Sequence, residues 1–303
     1  MTHRTDLVRG TREIGENPSE KAVIYMYAVI IICAVLLLAA IVWILAIMPR
    51  VRNRPDVSEF RKYDYAHRGL HRKDQAVPEN SLAAFRLAAE QGFGIELDVQ
   101  LTLDGKVVVF HDGNLKRMCG VEKRVCALSY EELRQVPLAG TAERIPLFTD
   151  VLAAVAGRVP LIVEVKGYDR REELCRKTAE FLKNYRGLWC MESFYPDIVM
   201  WFRKNMPEAV RGFLSMRYEK DTGPVSGFLA ENLFPNFLIR PDFIAYRYSD
   251  RKNVSLRACR KLYGVQEVSW TLTEPDQLKK VKREGGLGIF QYFDPRESQS
   301  KLS

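Results

Sequence analysis

Paired cysteines, zinc-type spacing, internal repeats and low-complexity tracts are all missing from this sequence. The six cysteines among its 303 residues, at 33, 119, 126, 175, 190 and 259, show no CxxC and no regular interval. Neither a zinc ribbon nor a disulfide framework is indicated. Free cysteines inside apolar patterns behave as small hydrophobes and suit a reducing compartment. Acid is not in excess either: 46 Lys and Arg against 38 Asp and Glu give a net charge of +8 and a pI near 9.1. That balance favours anionic partners such as phosphates, anionic lipid or nucleic acid, or is simply a basic surface. The densest cationic cluster, Lys279-Lys280 with Lys282-Arg283, falls at a helix end where it complements the dipole, so it is not read as a nucleic-acid patch.

Charge is absent altogether from Ala22 to Met48. About 20 apolar residues suffice to cross a bilayer as a helix, and Tyr25 and Tyr27 suit an interfacial position. The expectation is a polar segment over 1–21, a transmembrane helix over 22–48 and a polar linker over 49–61. A cleaved signal peptide and a buried core helix are the alternatives; the run is long for a signal, and no small-residue cleavage site follows. Arg50, Arg52, Arg54, Arg61 and Lys62 crowd the C-terminal flank, against Lys21 and the more distant Arg4, Arg9 and Arg12 on the other. The expectation is a single-pass membrane protein, and the positive-inside rule leans towards a cytoplasmic C-terminal domain.

Chemistry-bearing residues concentrate between Tyr63 and Asp112. A short strand ends in His67-Arg68-Gly69, and Pro78-Glu79-Asn80-Ser81 opens a helix with Asn80 or Ser81 as N-cap. On the strand Gly94–Val99, alternation puts Glu96 and Asp98 on one face and Ile95, Leu97 and Val99 on the other. Asp104-Gly105 marks a hairpin, after which Val107–Phe110 delivers His111. A further apolar strand, Pro160–Gly167, presents Glu164 and Lys166 on one face. Singly, each such residue is as easily a surface or core group. Two carboxylates on one face of an apolar strand, however, are costly to bury without a cation or basic partner. Three converging carboxylates make a hard oxygen site suited to Mg²⁺ or Ca²⁺. Arg68 and Lys166 suit phosphate oxygens.

The set His67-Arg68-Gly69, Pro78-Glu79-Asn80-Ser81, Glu96-Leu97-Asp98-Val99-Gln100-Leu101-Thr102, His111-Asp112 and Glu164-Val165-Lys166 resembles the glycerophosphodiester phosphodiesterase family, in its membrane-anchored bacterial form. Glu192-Ser193-Phe194 and Val268-Ser269-Trp270-Thr271 are similar to it as well, so the likeness runs from about Tyr63 to Pro295. The resemblance implies His67 and His111 as general acid and base, and Glu96, Asp98 and Glu164 as ligands of one divalent cation. It implies Arg68 and Lys166 as phosphate contacts and Glu79 as a supporting residue near the metal. Histidine, with an ordinary pKa of about 6.5, can serve as acid or base near neutral pH. Trp270 is either an aromatic floor for a glycerol group or barrel core. The sequence departs from the family at Leu287, where an acid is usual, and at Gln291-Tyr292, where Thr-Asp is usual. That departure bears on pocket shape and substrate choice more than on chemistry.

Strand and helix patterns alternate to the end of the chain, giving an α/β fold, a (β/α)₈ TIM barrel over 62–298. A small insertion is expected after the second βα region, with a Ser129–Glu132 capping box, and one transmembrane helix ahead of the barrel. The function expected is metal-dependent hydrolysis of glycerophosphodiesters to glycerol 3-phosphate and an alcohol. A lysolipid substrate, in a lysophospholipase D-type reaction, is the alternative within the same chemistry. A catalytically silent, membrane-bound protein that binds phosphoryl ligands is the alternative of another class. Nucleic acid is not an expected partner.

Overall fold

The structure is a computed structural model, and it describes residues 18–218 and 223–298. Most of the polar segment expected over 1–21, with Arg4, Arg9 and Arg12, lies outside the described residues. The chain divides into two compact units, Met1–Leu45 and Ala46–Ser303.

One helix, α1 (Pro18–Ala46), holds the charge-free run as far as Ala46; Ile47 and Met48, expected within the span, belong to the second unit. It is long and apolar enough to cross a membrane over Lys21–Ala46, a property shared by signal sequences, and it is unburied, which sets aside the core-helix alternative. Its outward side chains are large and apolar, Ile24, Leu36 and Leu38 among them.

In the second unit, nine strands form one sheet. They are β1 (Tyr65–Ala66), β2 (Gly94–Leu101), β3 (Val107–Val109), β4 (Leu161–Val165), β5 (Trp189–Ser193), β6 (Arg211–Ser215), β7 (Phe243–Arg247), β8 (Gln266–Leu272) and β9 (Leu287–Phe290). The order β1-β9-β8-β7-β6-β5-β4-β2, with β1 also paired to β2, closes eight parallel strands into a barrel. β3 adds outside that ring, antiparallel to β2. Around the barrel run α2 (Leu82–Glu90), α5 (Phe148–Val155), α6 (Arg171–Asn184), α7 (Pro196–Asn205), α10 (Val254–Tyr263) and α11 (Pro275–Arg283).

Strand alternation organises the packing. Ile95, Leu97, Val99, Val163 and Val165 face outward and pack with Phe85, Val151 and Leu174 of the surrounding helices. The inward positions begin with an apolar floor of Tyr65, Ile162, Cys190, Leu214 and Ile289, to which Phe60 contributes. Above that floor the inward residues turn acidic. Gly94 is required here, because a Cβ on it would lie 2.6 Å from the Tyr65 ring.

The insertion sits inside the second βα unit, between β2 and α5. It comprises β3, α3 (Lys116–Cys119) and α4 (Tyr130–Leu133). It has its own small core of Val108, Phe110, Leu115, Met118, Leu133 and Ile145, and the Ser129–Glu132 capping box is present. Between β6 and β7, a stretch whose pattern suggests only an irregular segment folds into α8 (Pro224–Glu231) and α9 (Asn236–Ile239). Pro224 at the first turn supplies a start signal of the usual kind. Residues 49–61, expected as a polar linker, lie against the barrel. The Arg50 amide donates to the Pro241 carbonyl at 3.0 Å, and Arg54 donates to the carbonyl of Tyr263 at 2.7 Å.

Candidate active site

The site is built on β2 and β4. Their register pairs Asp98 with Glu164, and alternation carries Glu96 to the same inner face. One oxygen from each of Glu96, Asp98 and Glu164 lies within 4.8 Å of the others, and all three residues are buried. The β2–β3 hairpin then turns the chain back on itself. The Phe110 amide donates to the Asp98 carbonyl at 2.9 Å, so His111 arrives beside Asp98. His67 and Arg68 follow β1, next to β2. The Arg68 amide donates to Glu96 Oε2 at 3.0 Å, and His67 Nε2 is 3.9 Å from the same oxygen. Arg68 adopts a left-handed φ of 55° and Gly69 one of 80°. A Cβ at Gly69 would meet the Ala84 backbone at 2.9 Å, so the turn that presents these side chains is tight. Ser81 is the N-cap of α2. Asn80 is freed from that task and donates from Nδ2 to Asp98 Oδ2 at 2.8 Å.

Charge is concentrated and only partly balanced. Lys166 Nζ lies 2.8 Å from both Asp98 Oδ1 and Glu164 Oε1. Burial alone would raise Asp98, but Lys166, His111 and Arg68 outweigh it and hold the carboxyl well below its ordinary value. Burial opposes the charge on Lys166, and Asp98 with Glu164 hold its ammonium protonated. Glu96 is pushed well up by burial and by the charges of Asp98, Glu164 and Glu192. Burial also raises Glu164 and Glu192. Were all four ionised, Glu96, Asp98, Glu164 and Glu192 would outnumber Lys166 and Arg68, and such hard oxygen donors fit a divalent cation.

The histidines are held from outside the trio. His111 Nδ1 lies 2.6 Å from Asp112 Oδ1; a carboxylate can only accept, so Nδ1 donates and Nε2 remains for chemistry. Asp112 is gripped in turn by Arg117 at 2.7 Å, and Arg117 also donates to Glu79 at 2.6 Å. Glu79 does not join the trio: it accepts from Arg68 at 2.6 Å, and its carboxyl is lowered to about 2, because Arg117 and Arg68 overcome its burial. His67 Nδ1 lies 2.8 Å from Gln291 Oε1. Burial, with Arg68 beside it, lowers His67 to about 3, so the ring is neutral at physiological pH.

Gln291, one of the departures expected to bear on pocket shape more than on chemistry, thus also touches an acid–base candidate. Leu287, the other departure, sits at the start of β9 among the apolar floor residues. Trp270 is half-buried and packs edge-on against Phe194 at 5.6 Å, over the same floor.

Asp112, Arg117, Gln291, Glu192 and the buried His71, which stacks edge-on with Tyr292 at 5.2 Å, take their places around the site only in the folded chain. Asp112 had a signal, adjacency to His111. Arg117 lies only five residues from Asp112, but its bond to Glu79 crosses 38 residues; Gln291 stands out in sequence only as a departure, and its bond to His67 crosses 224.

A family model described as the glycerophosphoryl diester phosphodiesterase family matches residues 67–293. The chain belongs to that family. It is a phosphoric diester hydrolase. Its relatives include a glycerophosphodiester phosphodiesterase of Bacillus altitudinis, 32% identical over 77% of this chain and 95% of the relative. Another, glycerophosphodiester phosphodiesterase 1 of Bos taurus, is 27% identical over 70% of this chain and 72% of the relative. Among solved structures, an Oleispira antarctica phosphodiesterase in complex with the product sn-glycerol-3-phosphate aligns with a TM-score of 0.64 at 25% identity, covering 79% of this chain and 96% of that one. A glycerophosphodiester phosphodiesterase of Thermotoga maritima aligns with a TM-score of 0.59 at 27% identity, over 80% and 98%.

Proposed function

We propose that this enzyme hydrolyses glycerophosphodiesters to glycerol 3-phosphate and an alcohol, with His67 and His111 as its acid–base pair and one divalent cation, Mg²⁺ or Ca²⁺, held by Glu96, Asp98 and Glu164. The observation that carries this reading is the buried carboxylate trio lying beside two histidines. When bound, the cation would polarise a phosphoryl oxygen and neutralise developing charge. The remaining work belongs to side chains. Neutral His67, its Nδ1 held by Gln291, can take the proton of the attacking hydroxyl at Nε2. His111, oriented by Asp112, can deliver a proton to the departing alkoxide. Arg68 and Lys166 lie where phosphate oxygens would enter, with Glu79 and Arg117 bracing Arg68. Phe194 and Trp270 form an aromatic wall suited to a glycerol group.

The apolar run is read as a membrane span and the positive flank as cytoplasmic, which makes a lysolipid a second substrate to test. Purified protein assayed on glycerophosphocholine and lysophosphatidylcholine separates the two. His67→Ala should lower turnover by about 10²–10⁴-fold, and EDTA should abolish it. Turnover that survives both would refute the assignment, and ligand-dependent melting without product release would favour a silent binding protein.

A further inference from the structure

A second concentration of charge lies where the chain leaves α1. Ile47 is fully buried, and its carbonyl accepts from Asn236 Nδ2 at 3.0 Å and from Cys259 Sγ at 3.2 Å. From there the chain passes a cleft of about 350 Å³ lined by Arg50, Arg52, Arg203, Arg211 and Arg240. Among the described residues, Asp242 pairs with two of these five guanidiniums, 3.4 Å from Arg50 and 3.8 Å from Arg211. Arg211 is 3% exposed, and its buried Nε has no hydrogen-bond partner. Arg240 uses one nitrogen on the Met48 carbonyl at 3.1 Å, and Arg203 donates to the Leu238 carbonyl. Beside them on α9, Phe237 and Leu238 are about half exposed, at 47% and 49%. Burial and the neighbouring guanidiniums work against the charge of Arg211 and Arg240. Arg50, Arg203 and Arg240 are half-buried and Arg52 is exposed; Arg211 also donates to the Pro207, Ala209 and Arg240 carbonyls, so the open valences of the cleft lie mainly on the outer arginines, where an anion would be held.

We propose that this cleft binds the phosphate of an anionic lipid headgroup. Guanidiniums are the natural fork for phosphate oxygens. Basic pockets next to membrane spans are suited to headgroups. The inference rests on reading α1 as a span, and Arg50, four residues past Ala46, lies within at most roughly 14 Å of the helix end by chain length alone. The exposed apolar pair on α9, joined to the cleft through the bond from Arg203 to the Leu238 carbonyl, suits acyl chains.

The test uses the full chain in neutral detergent micelles with EDTA present, titrated calorimetrically with dodecyl phosphate, which lacks glycerol, and separately with inorganic phosphate. Dodecyl phosphate should bind saturably. The double variant R52Q/R203Q should weaken it roughly 30-fold, and R52Q alone, at an exposed side chain, about fivefold. K279Q/K280Q, which removes the same charge elsewhere, should leave binding unchanged. Equal loss in both double variants, or none in either, overturns the site. Inorganic phosphate binding as tightly as dodecyl phosphate overturns the lipid as its source. Alkaline extraction of the chain from membranes is a separate measurement. Release there defeats the spanning reading, whereas the micelle titration decides the phosphate site.

Discussion

Removing the divalent cation should destabilise the barrel, and more so as pH rises. Glu96 faces Asp98, Glu164 and Glu192 in a buried cavity, with Lys166 and Arg68 as the nearby cations. A carboxyl whose folded pKa is raised contributes stability below its unfolded value of about 4.3. That contribution is lost as pH climbs through the folded value. In chelator, therefore, the Glu96 contribution falls away from acid towards neutral pH, and a bound cation restores it. At a cation concentration about 100 times its dissociation constant, the restoration is about 2.7 kcal/mol. For a domain of this size that corresponds to a rise of about 5–11 °C in melting temperature. The assay is thermal unfolding in EDTA and in excess Mg²⁺ or Ca²⁺, at pH 5 and pH 7.5. The increment should be larger at pH 7.5. Glu96→Gln removes one buried charge while keeping an oxygen for the Arg68 amide. It should melt higher than wild type in EDTA and respond little to cation. An absent increment at pH 7.5, or a full one in Glu96→Gln, would refute the charge-excess argument.

Two further outcomes are expected. Gln291→Leu removes the acceptor for His67 Nδ1 and should lower kcat about tenfold, with a loss of stability of about 1–3 kcal/mol from the donor left without a partner; unchanged kcat would remove Gln291 from the positioning of His67. Gly94→Ala places a Cβ 2.6 Å from the Tyr65 ring and should destabilise the barrel by about 1–3 kcal/mol in urea titration; a neutral result would mean that the floor around Tyr65 is looser than its burial indicates.

Local pattern carried the parts of this protein that depend on short intervals. Period-two alternation placed Glu96 and Asp98 on the inner face of β2 without knowledge of any other strand, since neighbouring strand residues point to opposite faces. The charge-free run from Ala22 to Met48 and the Ser129–Glu132 capping box were equally legible, because each is fixed by residues a few positions apart. Helix starts were less so: Asn80 and Ser81 are both good caps, and only the packed site shows that Ser81 caps α2 while Asn80 turns to Asp98.

Everything that depends on long-range register was decided by the tertiary structure. Asp98 meets Glu164 because β4 pairs with β2 at that offset, and His111 meets Asp98 because the hairpin folds antiparallel. Gln291 reaches His67 only because β9 closes the barrel against β1. The arginines of the α1 exit converge from segments more than a hundred residues apart. A one-dimensional pattern records which residues share a face of one element. Which faces then meet is set by the closure of the ring, through contacts that no short interval encodes.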